Sequence, residues 1–184
     1  GQLVIDKLQI PKANIFESEI SGIVERFHLL QGGTLEQLRL GNLMARVRMI
    51  LLYDLAKVNQ ALVIGTENKS EYLLGYFTRF GDQASDLEPI RNLYKTEVIE
   101  LAKELGVPEK IIKKAPTAGL WSGQTDEKEL GFSYQEADPI LSLHFDEKES
   151  WEKIMEKGFD KKLVERIKNQ VEKNAFKHEV PKVC

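Results

Sequence analysis

One cysteine stands in the 184 residues, and it is the last of them, Cys184. No internal disulfide can form, and no cluster of thiolates is available for zinc. The three histidines, His28, His144 and His178, have none of the spacings of zinc hydrolases, so neither a zinc centre nor a cysteine nucleophile is expected. No apolar run is long enough to span a bilayer, and no stretch reads as a signal peptide. Neither sign of charge dominates: 26 basic residues against 29 acidic ones leave a net charge of −3. The basic excess of a nucleic-acid binder is therefore missing. Repeats and low-complexity segments are missing too. These absences point to a cytoplasmic protein in a reducing setting, without membrane or nucleic-acid partners.

What remains is an ordinary globular composition, 42% hydrophobic and 30% charged, in a chain long enough for one domain with a real core. Residues 2–8 read as the end of a helix already under way, so sequence upstream of Gly1 is expected. Residues 15–20, "IFESEI", alternate apolar and polar side chains and suit a short strand. Ser21 is placed to cap a helix through Val24, Phe27 and Leu30, which Gly32 and Gly33 break. Thr34 and Gln37 have capping-box spacing and open a long helix over residues 34–57. The clearest strand covers residues 61–65, where apolar residues face both ways as in a parallel sheet, with a second short strand over residues 87–90. Val98, Leu101, Ala102 and Leu105 have helical spacing closed by Gly106, and Pro108 starts another short helix. Residues 114–133 read as a long irregular loop, more often functional than accidental. Ser133 and Glu136 form a second capping box, and Leu163, Ile167 and Val171 mark a last amphipathic helix before a basic tail over residues 173–182. Strand and helix in alternation imply an α/β fold with helices packed on a mostly parallel sheet.

In such folds ligands lie at the C-terminal edge of the strands, where this chain reads "GTENKSE" over residues 65–71. Glu71 could hold magnesium, an ion satisfied by one or two carboxylates plus substrate phosphates, although a solvated helix glutamate is the ordinary alternative. Thr66 by itself is most often an N-cap. Arg46 and Arg48 lie two apart and point in different directions on a helix, so one can reach an anionic ligand while the other pairs at the surface. Residues 75–86, "GYFTRFGDQASD", have the composition of a loop that stacks a ring and binds hydroxyls, or of a plain surface loop. Lys95 and Thr117 are unremarkable singly.

An ordered set of motifs ties these residues together. "GNLMARVRM" at 41–49, "GTENKSEYLLGYFTRFGDQASD" at 65–86, "NLYKTEV" at 92–98, "LGVPE" at 105–109, "APTAGLW" at 115–121 and "GQTDEKELGFSY" at 123–134 resemble the ammonia-dependent NAD synthetases. These are members of the N-type ATP pyrophosphatase superfamily, and the likeness covers about residues 8–181. The resemblance implies a Rossmann-like fold of the adenine nucleotide alpha hydrolase type, here a single domain without its N-terminal part. It implies that ATP adenylates the nicotinate carboxylate of deamido-NAD, releasing pyrophosphate, and that ammonia then displaces AMP to give NAD. By matching position, Arg46, Arg79, Asp86 and Lys177 would bind deamido-NAD, Thr66, Lys95 and Thr117 would contact ATP, and Glu71 would hold Mg2+. A homodimer is implied, with the long helix at the interface. Three departures are visible. Arg79 stands where the family usually has lysine, and Phe176 where it often has histidine before Lys177. The phosphate loop Ser-Gly-Gly-x-Asp-Ser is absent, and Gly32-Gly33-Thr34 follows no strand and lacks the aspartate, so the chain alone is expected to be a poor enzyme. Two other readings stay open: another ATP pyrophosphatase, of the GMP-synthetase or tRNA-modifying kind, and a non-catalytic module that binds nucleotide or dimerises.

Overall fold

A computed structural model describes residues 1–33 and 36–179. Ser133 and Glu136 close the expected capping box and start helix α8, Tyr134–Phe145. Its Ala137, Ile140 and Leu141, one helical face, are fully buried with Tyr134 at the first turn. The Asp160 carboxylate accepts from the Leu163 N–H and starts α10, Lys161–Asn174, whose Val164 and Ile167 face the same core. Short helices α4 (Lys69–Leu74), α5 (Lys95–Glu104) and α9 (Trp151–Glu156) complete this core. Gly75 ends α4 with a φ of 63°, and a Cβ there would sit 2.3 Å from the Asn174 Cβ. Glycine is required by both the turn and the close approach of α10. Helix α6 (Glu109–Ile112) follows Pro108 as expected.

The N-terminal third is less enclosed. It holds α1 (Gln2–Leu8), α2 (Ser21–Leu30) and the 23-residue α3 (Gln37–Asn59). The capping box expected at Thr34 falls outside the described residues; the described helix starts at Gln37 behind Glu36. Ser21 is the first helical residue of α2 rather than its cap, and its N–H donates to Glu19 Oε1 at 2.9 Å. Residues 15–20 form no strand, and no β bridge to another described residue includes them; alternation without a partner makes no ladder.

The parallel sheet is the largest departure from expectation. Among the described residues the only β pairing is one parallel bridge, Ile64 to Leu87. The Gly65 N–H donates to the Leu87 carbonyl and the Asp86 N–H to the Val63 carbonyl, both at 2.8 Å. The expected strands at 61–65 and 87–90 therefore meet in the expected parallel sense, over too few residues to make a ladder. Val63 is buried, while Leu62 and Ile64 are 69% and 61% exposed. The apolar pattern facing both ways is present, but one side of it has no cover. The loop over residues 114–133 also contains a turn of helix, α7, Asp126–Leu130.

Candidate active site

Beyond Gly65 the chain turns into α4, and Asn68 rather than Thr66 caps the helix. Its side chain accepts from the Glu71 N–H at 3.0 Å while Glu71 Oε2 accepts from the Asn68 N–H at 3.2 Å. Thr66 is exposed two residues earlier. The other Glu71 oxygen pairs with Lys95 Nζ at 2.8 Å, so the expected magnesium ligand and an expected ATP contact lie side by side.

A buried polar junction fixes that pair. Asp138, in the middle of α8, accepts from the Ser70 hydroxyl at 2.6 Å, the Thr96 N–H at 2.9 Å and the Thr96 hydroxyl at 2.8 Å. Ser70 Oγ in turn accepts from the Lys95 N–H. One carboxylate thus ties α4, α5 and α8 together beneath Glu71 and Lys95. The sequence carried a signal for this, an aspartate among the apolar residues of α8, which motif matching passes over. Thr117 is not drawn into the pair; its hydroxyl accepts from the Gly119 N–H within its own turn.

The residues expected to bind the dinucleotide gather around the loop at 75–82. Arg46 projects from α3 and donates to the Arg79 carbonyl at 3.2 Å. Arg79 donates to the Glu179 carbonyl. Lys177 Nζ donates to the carbonyls of Gly75 and Phe77 at 2.6 and 2.8 Å, and burial pulls its pKa down. His178 packs on Tyr72 with ring centroids 4.3 Å apart. Asp86 stands apart from this group: its carboxylate accepts from the Val63 N–H at 2.8 Å and so secures the extended segment. Arg46 also lines a cavity of about 260 Å³ between α2 and α3, with Phe27, Arg39 and Asn42 among its walls. A larger open cleft of about 570 Å³ lies on α9 and α10 and contains none of the candidate residues.

Sequence reasoning missed Glu67 and Arg91. Glu67 is 6% exposed and its carboxylate has no hydrogen bond, only the Arg91 guanidinium at 3.1 Å. Burial outweighs that ion pair and raises the carboxyl pKa to about 8. Arg91 lies flat on the Tyr72 ring, 3.6 Å from its centroid.

A carboxylate–lysine pair thus follows the extended segment, and the loop at 75–82 is held by Arg46 of α3 and by Lys177. The family model described as NAD synthase matches residues 2–181. The chain belongs to that family. It is 53% identical over 147 residues to the NH(3)-dependent NAD(+) synthetase of Wolinella succinogenes, covering 80% of this chain and 57% of that relative. Over 183 residues it is 47% identical to the enzyme of the same name from Pyrococcus horikoshii, covering 98% and 70%. Among solved structures, an NMN synthetase from Francisella tularensis superposes with a TM-score of 0.82 at 36% identity, covering 98% of this chain and 69% of that one. An NH3-dependent NAD synthetase from Campylobacter jejuni gives 0.70 at 37%, covering 90% and 63%. The chain thus spans about 57 to 70% of the length of these relatives. No described helix is long and apolar enough to cross a membrane.

Proposed function

We propose that this chain is the substrate-holding part of an ammonia-dependent NAD synthetase, a ligase that amidates deamido-NAD at the expense of ATP through an acyl-adenylate, releasing AMP and pyrophosphate. The observation that carries the reading is the convergence of Arg46, Arg79 and Lys177 on one loop beside the α2–α3 cavity. Arg46 and Arg39 line that cavity, and Arg79 and Lys177 hold the adjoining loop, a concentration of cations that suits a ligand with two phosphates and a carboxylate. Arg46 faces both the cavity and the loop, so it is placed to bind the dinucleotide while holding the loop in position. Asp86 has one oxygen committed to the backbone, leaving the other for a ligand hydroxyl.

The ATP side is Thr66, Lys95 and Thr117, with Lys95 placed to meet phosphate oxygens. Glu71 could hold Mg2+ only by exchanging a partner, since Oε2 accepts from the Asn68 N–H and Oε1 pairs with Lys95. Among the described residues no group of three His, Cys, Asp or Glu side chains could hold a metal alone. One carboxylate suffices only where phosphates and water complete the shell, which is the usual magnesium arrangement. Bound there, the ion would neutralise phosphate charge. The rest of the work is positioning and charge neutralisation by fixed groups rather than a covalent enzyme intermediate.

In this reading the extended segment at 61–65 belongs to a parallel sheet of the adenine nucleotide alpha hydrolase type, the exposed Leu62 and Ile64 being covered in the complete protein. The molecule is a cytoplasmic homodimer with α3 at its interface. The likeness to an NMN synthetase supports a second substrate reading, the same amidation on a mononucleotide. The test is product formation by the protein extended to the full length of its relatives, with ATP, ammonium and either deamido-NAD or nicotinate mononucleotide. Faster turnover of deamido-NAD supports the proposal; turnover of the mononucleotide alone replaces it with the second reading.

A further inference from the structure

Tyr72, on α4, is the centre of a cluster of stacked groups with no part in the substrate contacts proposed above. The Arg91 guanidinium lies 3.6 Å from its ring centroid, the His178 ring 4.3 Å and the Phe77 ring 6.4 Å. His178 and Phe77 also meet, with centroids 5.9 Å apart. Arg91 is fixed from behind by Glu67 at 3.1 Å and Glu88 at 3.7 Å, and the Ser85 hydroxyl donates to Glu88 at 2.7 Å. His178 Nε2 lies 2.7 Å from the Tyr72 carbonyl, which can only accept, so this nitrogen carries the hydrogen. The imidazole therefore grips both the ring and the backbone of one residue. Phe176, in the same turn, is 57% exposed and takes no part.

The cluster bears on Lys177, which precedes His178 in the short turn Ala175–His178. The Lys177 ammonium donates to the Gly75 and Phe77 carbonyls, and with three donors in all it keeps one for a ligand. Where that donor points depends on the pose of the turn. Before Lys177 the turn continues α10, which packs on Gly75 through Asn174. After Lys177 the anchor is His178 on Tyr72. We propose that Arg91 and His178 are positioning residues, which clasp Tyr72 and so aim the Lys177 ammonium at the dinucleotide. The ligand assigned to Lys177 rests on the synthetase reading; the clasp itself does not. Neither residue needs to touch the ligand, because holding a long flexible side chain in its binding pose lowers the cost of ordering it on binding. Arg91→Ala is a fair test, since Glu67, protonated at neutral pH through burial, leaves no buried charge behind.

The experiment pairs limited trypsin digestion of the 184-residue chain with calorimetry on the protein at its relatives' full length. Cleavage after Lys177, read by mass spectrometry against cleavage after Lys114, reports release of the turn. Arg91→Ala should raise that ratio severalfold. It should weaken deamido-NAD binding about three- to tenfold, the cost of ordering one long side chain, while ATP binding changes by less than about twofold. His178→Leu, which keeps bulk and loses the hydrogen bond, should do the same. Tyr72→Leu should weaken deamido-NAD binding severalfold more than Tyr72→Phe, which keeps the ring. Should Arg91→Ala not fold, the His178 and Tyr72 variants decide. Equal losses for ATP and deamido-NAD would mark a merely structural residue and overturn the proposal, as would equal effects of Tyr72→Leu and Tyr72→Phe. So would an unchanged cleavage ratio in a folded variant, or a raised ratio with deamido-NAD binding intact. If the unsubstituted protein binds no deamido-NAD while the cleavage ratio responds as expected, the clasp on Lys177 stands and the synthetase reading falls.

Discussion

Asp138 and Glu67 are both buried acids, yet their surroundings give them opposite roles. Asp138 accepts three hydrogen bonds and holds α4, α5 and α8 in register. Asp138→Ala leaves one buried and two part-buried donors unpaired, so unfolding free energy should fall by about 2 kcal/mol in urea titration. Glu67 accepts none, and its pKa is raised from 4.5 to about 8. Below pH 4.5 its carboxyl is protonated in both folded and unfolded chains. Between 4.5 and about 8 the unfolded chain releases the proton while the folded chain keeps it, so this group's stabilisation is lost as pH rises through that window. Glu67→Gln should flatten the pH dependence of the urea midpoint over the same range, and an unchanged slope would assign it to another group. Neither role was legible beforehand, because both depend on which residues from distant parts of the chain surround the carboxyl. Arg46, Arg79 and Lys177 were found by motif position, and the structure brings them to one loop, whereas Asp86 and Thr117 engage their own backbone surroundings instead.

At the scale of elements, local chemistry was readable wherever it closes on itself. The Ser133–Glu136 capping box, the Gly106 stop and the amphipathic α10 depend on residues within a few positions of one another. Strands depend on partners elsewhere in the chain, so residues 61–65 carried a correct apolar pattern and a correct parallel neighbour without forming a ladder. Gly75 shows the same dependence. Its positive φ suits a helix end, but its lack of a side chain is also needed by Asn174, about a hundred residues on in sequence. Gly75→Ala should therefore cost more than the roughly 1 kcal/mol of a strained turn, about 2 to 3 kcal/mol in all. Because the Lys177 ammonium holds the Gly75 carbonyl, the same change should weaken deamido-NAD binding, a coupling that paired denaturation and calorimetry would measure.

For the whole molecule, α3 is one of several elements whose apolar surface exceeds what the chain covers, with α1 and α2 also exposing large hydrophobics. Leu38, Ile50, Leu52 and Val58 are 57%, 61%, 53% and 73% exposed and lie on more than one face. In the proposed homodimer part of that surface is shared between two copies. Sedimentation at micromolar concentration should find a dimer, and Ile50→Glu should shift it to monomer without unfolding it if that face is the interface. The central claim, that the cations around the loop at 75–82 receive deamido-NAD while Lys95 serves ATP, is tested most directly by calorimetry on the folded protein at its relatives' full length. Arg79→Ala should weaken deamido-NAD binding ten- to hundredfold, the roughly 1.5–3 kcal/mol of a charge-assisted hydrogen bond, and leave ATP binding unchanged. Lys95→Ala should do the reverse; equal losses for both ligands in both variants would contradict the account.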